Sequence, residues 1–118
     1  MEIYKEFSIE AAHSLPNVPE GHKCARLHGH SFKIRLYVEG VPNEENGWII
    51  DYADITQAFE ASRKILDHSH LNEIEGLDNP TSENLALWVW NRIISDFPEL
   101  SKVEVKETCT SGCIYQGK

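Results

Sequence analysis

The stretch CARLHGHSFKIRLYVE, Cys24 to Glu39, carries the pattern from which the architecture follows. From His28 to Gly40, Phe32, Ile34, Leu36 and Val38 fall in one phase and Lys33, Arg35, Tyr37 and Glu39 in the other. That period of two marks a strand with one buried and one wet face. His28 and His30 share the apolar phase. Upstream, Glu2 to His13 repeats the pattern, with Ile3, Phe7, Ile9 and Ala11 apolar and His13 on their side. Between the two strands, SLPNVPEGHKCARL holds two prolines and a glycine and has no steady period, so it reads as a loop.

Downstream, VPNEENGW supplies turn residues, and Trp48 to Asp51 reads as a short returning strand. Ile55, Phe59 and Leu66, with Ala58 and Ile65 alongside, fit a helix over Tyr52 to Leu66. DHSHLNEIEGLDNP breaks it. Thr81 is the N-cap of a second helix marked by Leu85, Trp88, Val89, Arg92 and Ile93, which ends before Pro98. Val103, Val105 and Glu107 then alternate with polar residues in a strand, and Thr108 to Gly112 turn into a last strand at Ile114 and Tyr115. Two strands, two helices and two more strands predict an α+β fold, an antiparallel four-stranded sheet with both helices on one face. Two helices cannot cover both faces, so the other face or the edges are expected to meet further subunits.

A chain of 118 residues fits one domain, 1–118, with room for a real core. Its charge of -8 argues against non-specific nucleic-acid binding, and a phosphorylated substrate would need a local basic pocket. MEIYKEFSIE lacks the apolar run of a signal peptide, and no segment reaches the ~18 apolar residues of a membrane span. The expectation is a soluble cytoplasmic protein with no membrane partner. Three cysteines in such a chain read as reduced thiols.

His13, His28 and His30 are the main chemical signal. Histidines two apart on a strand point the same way, and an in-phase third on a neighbouring strand completes a set of nitrogen ligands suited to zinc. A lone histidine is more often a core or surface residue, so the reading rests on the three together. No fourth thiolate is evident, which implies an open, catalytic position. Cys24, between Lys23 and Arg26, is open to three readings: base, fourth ligand or small filler. Asp67 and His68 can form a proton relay, although Asp67 also reads as a simple helix-end residue. Glu107 lies in an apolar phase and needs a bidentate partner, either an arginine such as Arg63 or Arg92 or an amidine-like N–H pair on a ligand. Cys109 and Cys113 are assigned to packing and His22 to a solvated loop; His70 receives no role.

Taken in order, F-x-x-E-A-A-H-x-L ending at Leu15, C-A-R-L-H-G-H at Cys24 to His30, L-D-H at Leu66 to His68, N-P-T-S-E at Asn79 to Glu83 and K-E-T at Lys106 to Thr108 resemble the 6-pyruvoyltetrahydropterin synthase superfamily. The C-x3-H-G-H spacing and the closing E-T-C-T-S-G-C-I-Y resemble its bacterial 6-carboxytetrahydropterin synthase branch. The resemblance implies a T-fold subunit in a homohexamer of two trimers, with sites at subunit interfaces. It implies zinc on His13, His28 and His30, Cys24 as general base, Asp67 with His68 as proton relay, and Glu107, Thr81 and Ser82 on the pterin. The implied reaction converts 7,8-dihydroneopterin triphosphate to 6-carboxy-5,6,7,8-tetrahydropterin, acetaldehyde and triphosphate, in queuosine biosynthesis. A pyruvoyl product is the alternative. Cleavage to a hydroxymethyl pterin is disfavoured, because that branch is associated with glutamate where Cys24 stands, and a zinc-binding scaffold without activity is the reading from another class.

Overall fold

The alternating pattern folds as two long strands, β1 (Glu2–His13) and β2 (His28–Glu39), in a computed structural model that describes residues 1–118. They pair antiparallel along their whole length, with Glu2 opposite Glu39 and His13 opposite His28. Phe32, Ile34, Leu36 and Val38 are buried on the inner face. On the outer face Arg35 reaches Glu6 at 2.9 Å and Glu104 at 3.7 Å, and Lys102 reaches Glu2 at 2.8 Å, so that side is a charged surface.

Helix α1 (Tyr52–Leu66) starts where the Asp51 carboxylate accepts from Ala53 N–H, and it buries Ile55, Phe59 and Leu66. Ile65 stays exposed, and Ala58 is only partly buried. After α1 come a two-residue strand β3 (Ser69–His70), a 3-10 turn at Leu71–Glu73 and helix α2 (Ser82–Ile93). The Thr81 hydroxyl caps α2 by accepting from Asn84 N–H at 3.1 Å. Strands β4 (Leu100–Thr108) and β5 (Ser111–Tyr115) close the chain as a hairpin. Gly112 is required there, because a Cβ would lie 2.6 Å from the Val105 carbonyl oxygen.

The sheet order is β3-β1-β2-β4-β5. Helix α1 packs on β1 and α2 on β4 and β5, enclosing 19 buried apolar residues in one cluster. Two expectations are corrected. The sheet has five strands rather than four, because β3 pairs with Ala11 and Ala12, and it does so in parallel. Two residues of Ser-His carry no periodicity from which a strand can be read. Trp48 to Asp51 is a bend rather than a strand. Asn43 N–H binds the Trp48 carbonyl and Asp51 is committed to capping α1, so too few residues remain to form a ladder.

Candidate metal centre

His13 ends β1, and His28 and His30 begin β2, so the antiparallel register sets His13 directly opposite His28 and Ala11 opposite His30. The imidazole centroids are 4.5 to 5.2 Å apart, edge to face. Phe32 lies beneath, 5.4 Å from His13 and 5.5 Å from His30, and gives the cluster an apolar floor. Glu107 on β4 completes a group whose four ligand atoms lie within 4.8 Å of one another.

Two backbone carbonyls fix the tautomers. His13 Nδ1 lies 2.7 Å from the Pro80 oxygen and His28 Nδ1 lies 2.7 Å from the Arg26 oxygen. A carbonyl only accepts, so each Nδ1 carries the proton and each Nε2 is left with a lone pair. His13 Nε2 is buried with no hydrogen-bond partner, yet Glu107 Oε1 stands 3.1 Å away and also 3.4 Å from His30 Nε2. A lone pair facing a carboxylate oxygen needs a positive centre between them. Burial holds the His13 imidazole below its ordinary pKa, which disfavours a proton as that centre. The donor set of three imidazoles beside a carboxylate therefore fits a divalent metal.

The chain leaving His13 is pinned. Asn72 accepts from Ser14 N–H at 2.9 Å and donates to the Ser14 carbonyl at 2.8 Å. Neither Asn72 nor Pro80 was legible as a site residue, because each acts through atoms far away in sequence. Pro80 does lie in the quoted N-P-T-S-E segment. Cys24 sits on a 3-10 turn, Lys23–Ala25, with both backbone groups held: its N–H donates to His22 Nδ1 at 3.0 Å and its carbonyl accepts from Leu15 N–H at 2.8 Å. His22 is thus the cap of the turn that carries Cys24 and more than a solvated loop residue.

Lys23, Cys24, His28, His30, Glu107 and Thr108 line a cavity of about 430 Å³. A hollow of similar size between α1 and α2, about 440 Å³, holds none of the candidate residues. The Glu107 side chain is 27% exposed, at the open end of the inner face. Neither of the arginines considered from the sequence is its partner. Arg63 pairs with Glu60 and Asp67, and Arg92 with the Ser62 hydroxyl and the Trp88 ring.

Asp67 and His68 flank the edge of β1. Asp67 Oδ1 accepts from Glu10 N–H at 2.9 Å, His68 N–H donates to the Glu10 carbonyl at 2.6 Å, and His68 Nε2 is 3.8 Å from Asp67 Oδ2. His68 holds a positive φ of 57°, a backbone cost often found at functional positions. Its imidazole is 79% exposed and lines a different hollow, with Glu10, Ala12, Gly29 and Ser31 of the outer face; His30 alone borders both. Thr81 and Ser82 lie at the start of α2, beside the Pro80 carbonyl that holds His13, and do not line the cavity. Cys113 packs partly buried against the core, where burial and then the Glu83 carboxylate raise its thiol pKa, while Cys109 is exposed at the hairpin. Only Cys113 meets the expectation of packing.

Residues 2–118 match the family model described as 6-pyruvoyl tetrahydropterin synthase. The chain is 45% identical to 6-carboxy-5,6,7,8-tetrahydropterin synthase of Synechocystis, over 96% of this chain and 91% of that protein. It is 37% identical to dihydroneopterin monophosphate aldolase of Pyrococcus furiosus, over 81% and 76%, and 31% identical to human 6-pyruvoyl tetrahydrobiopterin synthase, over 99% and 92%. The structure is similar to that of Caenorhabditis elegans 6-pyruvoyl tetrahydropterin synthase, with a TM-score of 0.90 covering 100% of this chain and 96% of that one. At 23% identity that likeness concerns the fold alone.

Proposed function

Because the chain belongs to the 6-pyruvoyl tetrahydropterin synthase family, we propose that it is a zinc-dependent lyase of the carboxy type. Water and 7,8-dihydroneopterin triphosphate give 6-carboxy-5,6,7,8-tetrahydropterin, acetaldehyde and triphosphate, a cytoplasmic step toward queuosine and related 7-deazapurines. The observation that carries this reading is the single cavity onto which Cys24, two imidazoles of the metal-capable cluster and Glu107 converge. The carboxy product is favoured by the 45% identity to the Synechocystis enzyme.

His13, His28 and His30 would hold zinc through Nε2, and zinc bound there supplies Lewis acidity to the side-chain oxygens of the substrate. Cys24 Sγ, on a turn fixed at both its backbone groups, takes a carbon-bound proton. The two Glu107 oxygens pair with the parallel N3–H and 2-amino donors of the pterin, as they would with a guanidinium fork. Thr81 and Ser82, at the start of α2 beside the Pro80 carbonyl, do not line the cavity in one copy and enter this reading as ring contacts on the family resemblance alone. His68 passes protons while Asp67 steadies its positive charge.

In one copy His68 and Cys24 border separate hollows, so the relay of one subunit would complete the cavity of another in a homohexamer built as two trimers. Open edges support such an assembly. β1 pairs with β2 along one edge, its other edge carries no strand from Glu2 to Ile9, and β5 ends the sheet with Ile114 56% exposed.

The test is incubation of the metal-loaded protein with dihydroneopterin triphosphate and product identification by mass spectrometry. The 6-carboxy product is expected. A pyruvoyl product would assign the chain to the alternative reading, and a hydroxymethyl product would align it with the aldolase that it matches at 37% identity. Binding of metal and pterin with no product would leave a scaffold.

A further inference from the structure

A substrate with an oligophosphate tail must approach a chain whose net charge is -8, through a cavity that already holds the Glu107 carboxylate. Lys23 is the one cationic side chain lining that cavity. The cations committed to carboxylates are Arg35, Arg63 and Lys102, and Lys23 is not among them. It is exposed, on the 3-10 turn that also presents Cys24, so the fixing of Cys24 by His22 and Leu15 fixes the Lys23 backbone as well. Thr108, whose hydroxyl lies 2.7 Å from Ser111 Oγ, is the remaining polar wall that is neither thiol, imidazole nor carboxylate. A lysine ammonium on a flexible stem, with three donors and no carboxylate within ion-pairing distance, suits a phosphate group whose position is set by the other end of the ligand.

Resting on the pterin reading above, we propose that Lys23 is the specificity-determining residue that receives the phosphate tail, so that the chain distinguishes phosphorylated from unphosphorylated pterins through this side chain. Lys23 also lies next to Cys24 in sequence, and a role confined to the thiol would alter reactivity without altering that discrimination.

The experiment uses two fluorescent, non-reacting probes, neopterin and neopterin triphosphate, titrated into the metal-loaded wild type, Lys23→Met and Lys23→Arg, with metal content measured for each. Lys23→Met is expected to weaken neopterin triphosphate on the order of 10-fold and leave neopterin unchanged, and Lys23→Arg to keep most of the difference. In turnover, Lys23→Met should raise KM for dihydroneopterin triphosphate more than it lowers kcat. Equal losses for both probes, no loss for either, or a change confined to the pH profile of Cys24 alkylation would overturn the assignment. A wild type that binds neopterin well but gains nothing from the triphosphate overturns it while leaving the pterin reading intact. A wild type that binds neither probe overturns both.

Discussion

His28→Ala is expected to lose most of the bound metal in elemental analysis, because the Arg26 carbonyl has already committed its Nδ1 and left Nε2 as the ligand atom. Unchanged stoichiometry there and in the matching His13 and His30 variants would remove the metal assignment. Cys24→Ala should keep metal and fold while kcat falls about 100-fold or more, the usual effect of losing a general base. Loss of metal instead would make Cys24 a ligand. Glu107 stands 3.1 Å from His13 Nε2, so its variant must separate two roles. Glu107→Gln turns one acceptor into a donor that faces a donor on the pterin, and mispairing of this kind costs ~1 to 3 kcal/mol, or roughly 5- to 150-fold in affinity. Calorimetry should show that loss with metal content retained. Retained pterin affinity together with lost metal would make Glu107 a fourth ligand.

Among the elements, α2 links stability to the site. Its N-cap is Thr81, and the preceding Pro80 carbonyl orients His13. Thr81→Ala removes the hydroxyl that accepts from Asn84 N–H and should lower the unfolding free energy by about 1 kcal/mol in a denaturant titration, with Thr81→Ser recovering most of it. Fraying of this turn would also loosen the Pro80 carbonyl, so metal affinity should fall in Thr81→Ala and recover in Thr81→Ser. Equal stability of all three proteins would show that α2 is held by packing of Leu85, Ala86, Val89 and Ile93 alone.

At the scale of the whole molecule, the radius of gyration is 15.3 Å, against about 13.5 Å for a compact domain of this length. Only 22 of 118 residues are buried, so an isolated copy leaves much surface that association would cover. The proposed division of Cys24 and His68 between subunits makes a specific prediction. Cys24→Ala and His68→Ala, each inactive alone, should recover roughly a quarter of wild-type turnover when co-expressed, because random mixing gives that share of sites both intact groups. No recovery in a mixed oligomer of verified composition would place both groups in the same subunit's site.

The strand phases of β1 and β2 were legible residue by residue, because a period of two records which side chains meet apolar neighbours. The same phase put His13, His28 and His30 on one face, and the two helices and the α+β class followed from their periods and from Thr81, whereas the T-fold was implied by the family resemblance alone. Contacts between segments remote in the chain left no such record. β3 exists because two polar residues happen to lie along the β1 edge, while Asn72 reaches the Ser14 backbone across 58 positions of sequence and the Pro80 carbonyl reaches His13 across 67. Glu107 shows the boundary most clearly. Its alternation with Val103 and Val105 gave the correct face, but the expected burial did not follow, and of the two partners left open neither Arg63 nor Arg92 reaches it. Periodicity states the direction in which a side chain points; how much of it is covered depends on how the other elements pack, and here Glu107 stays partly exposed as a lining residue of the cavity.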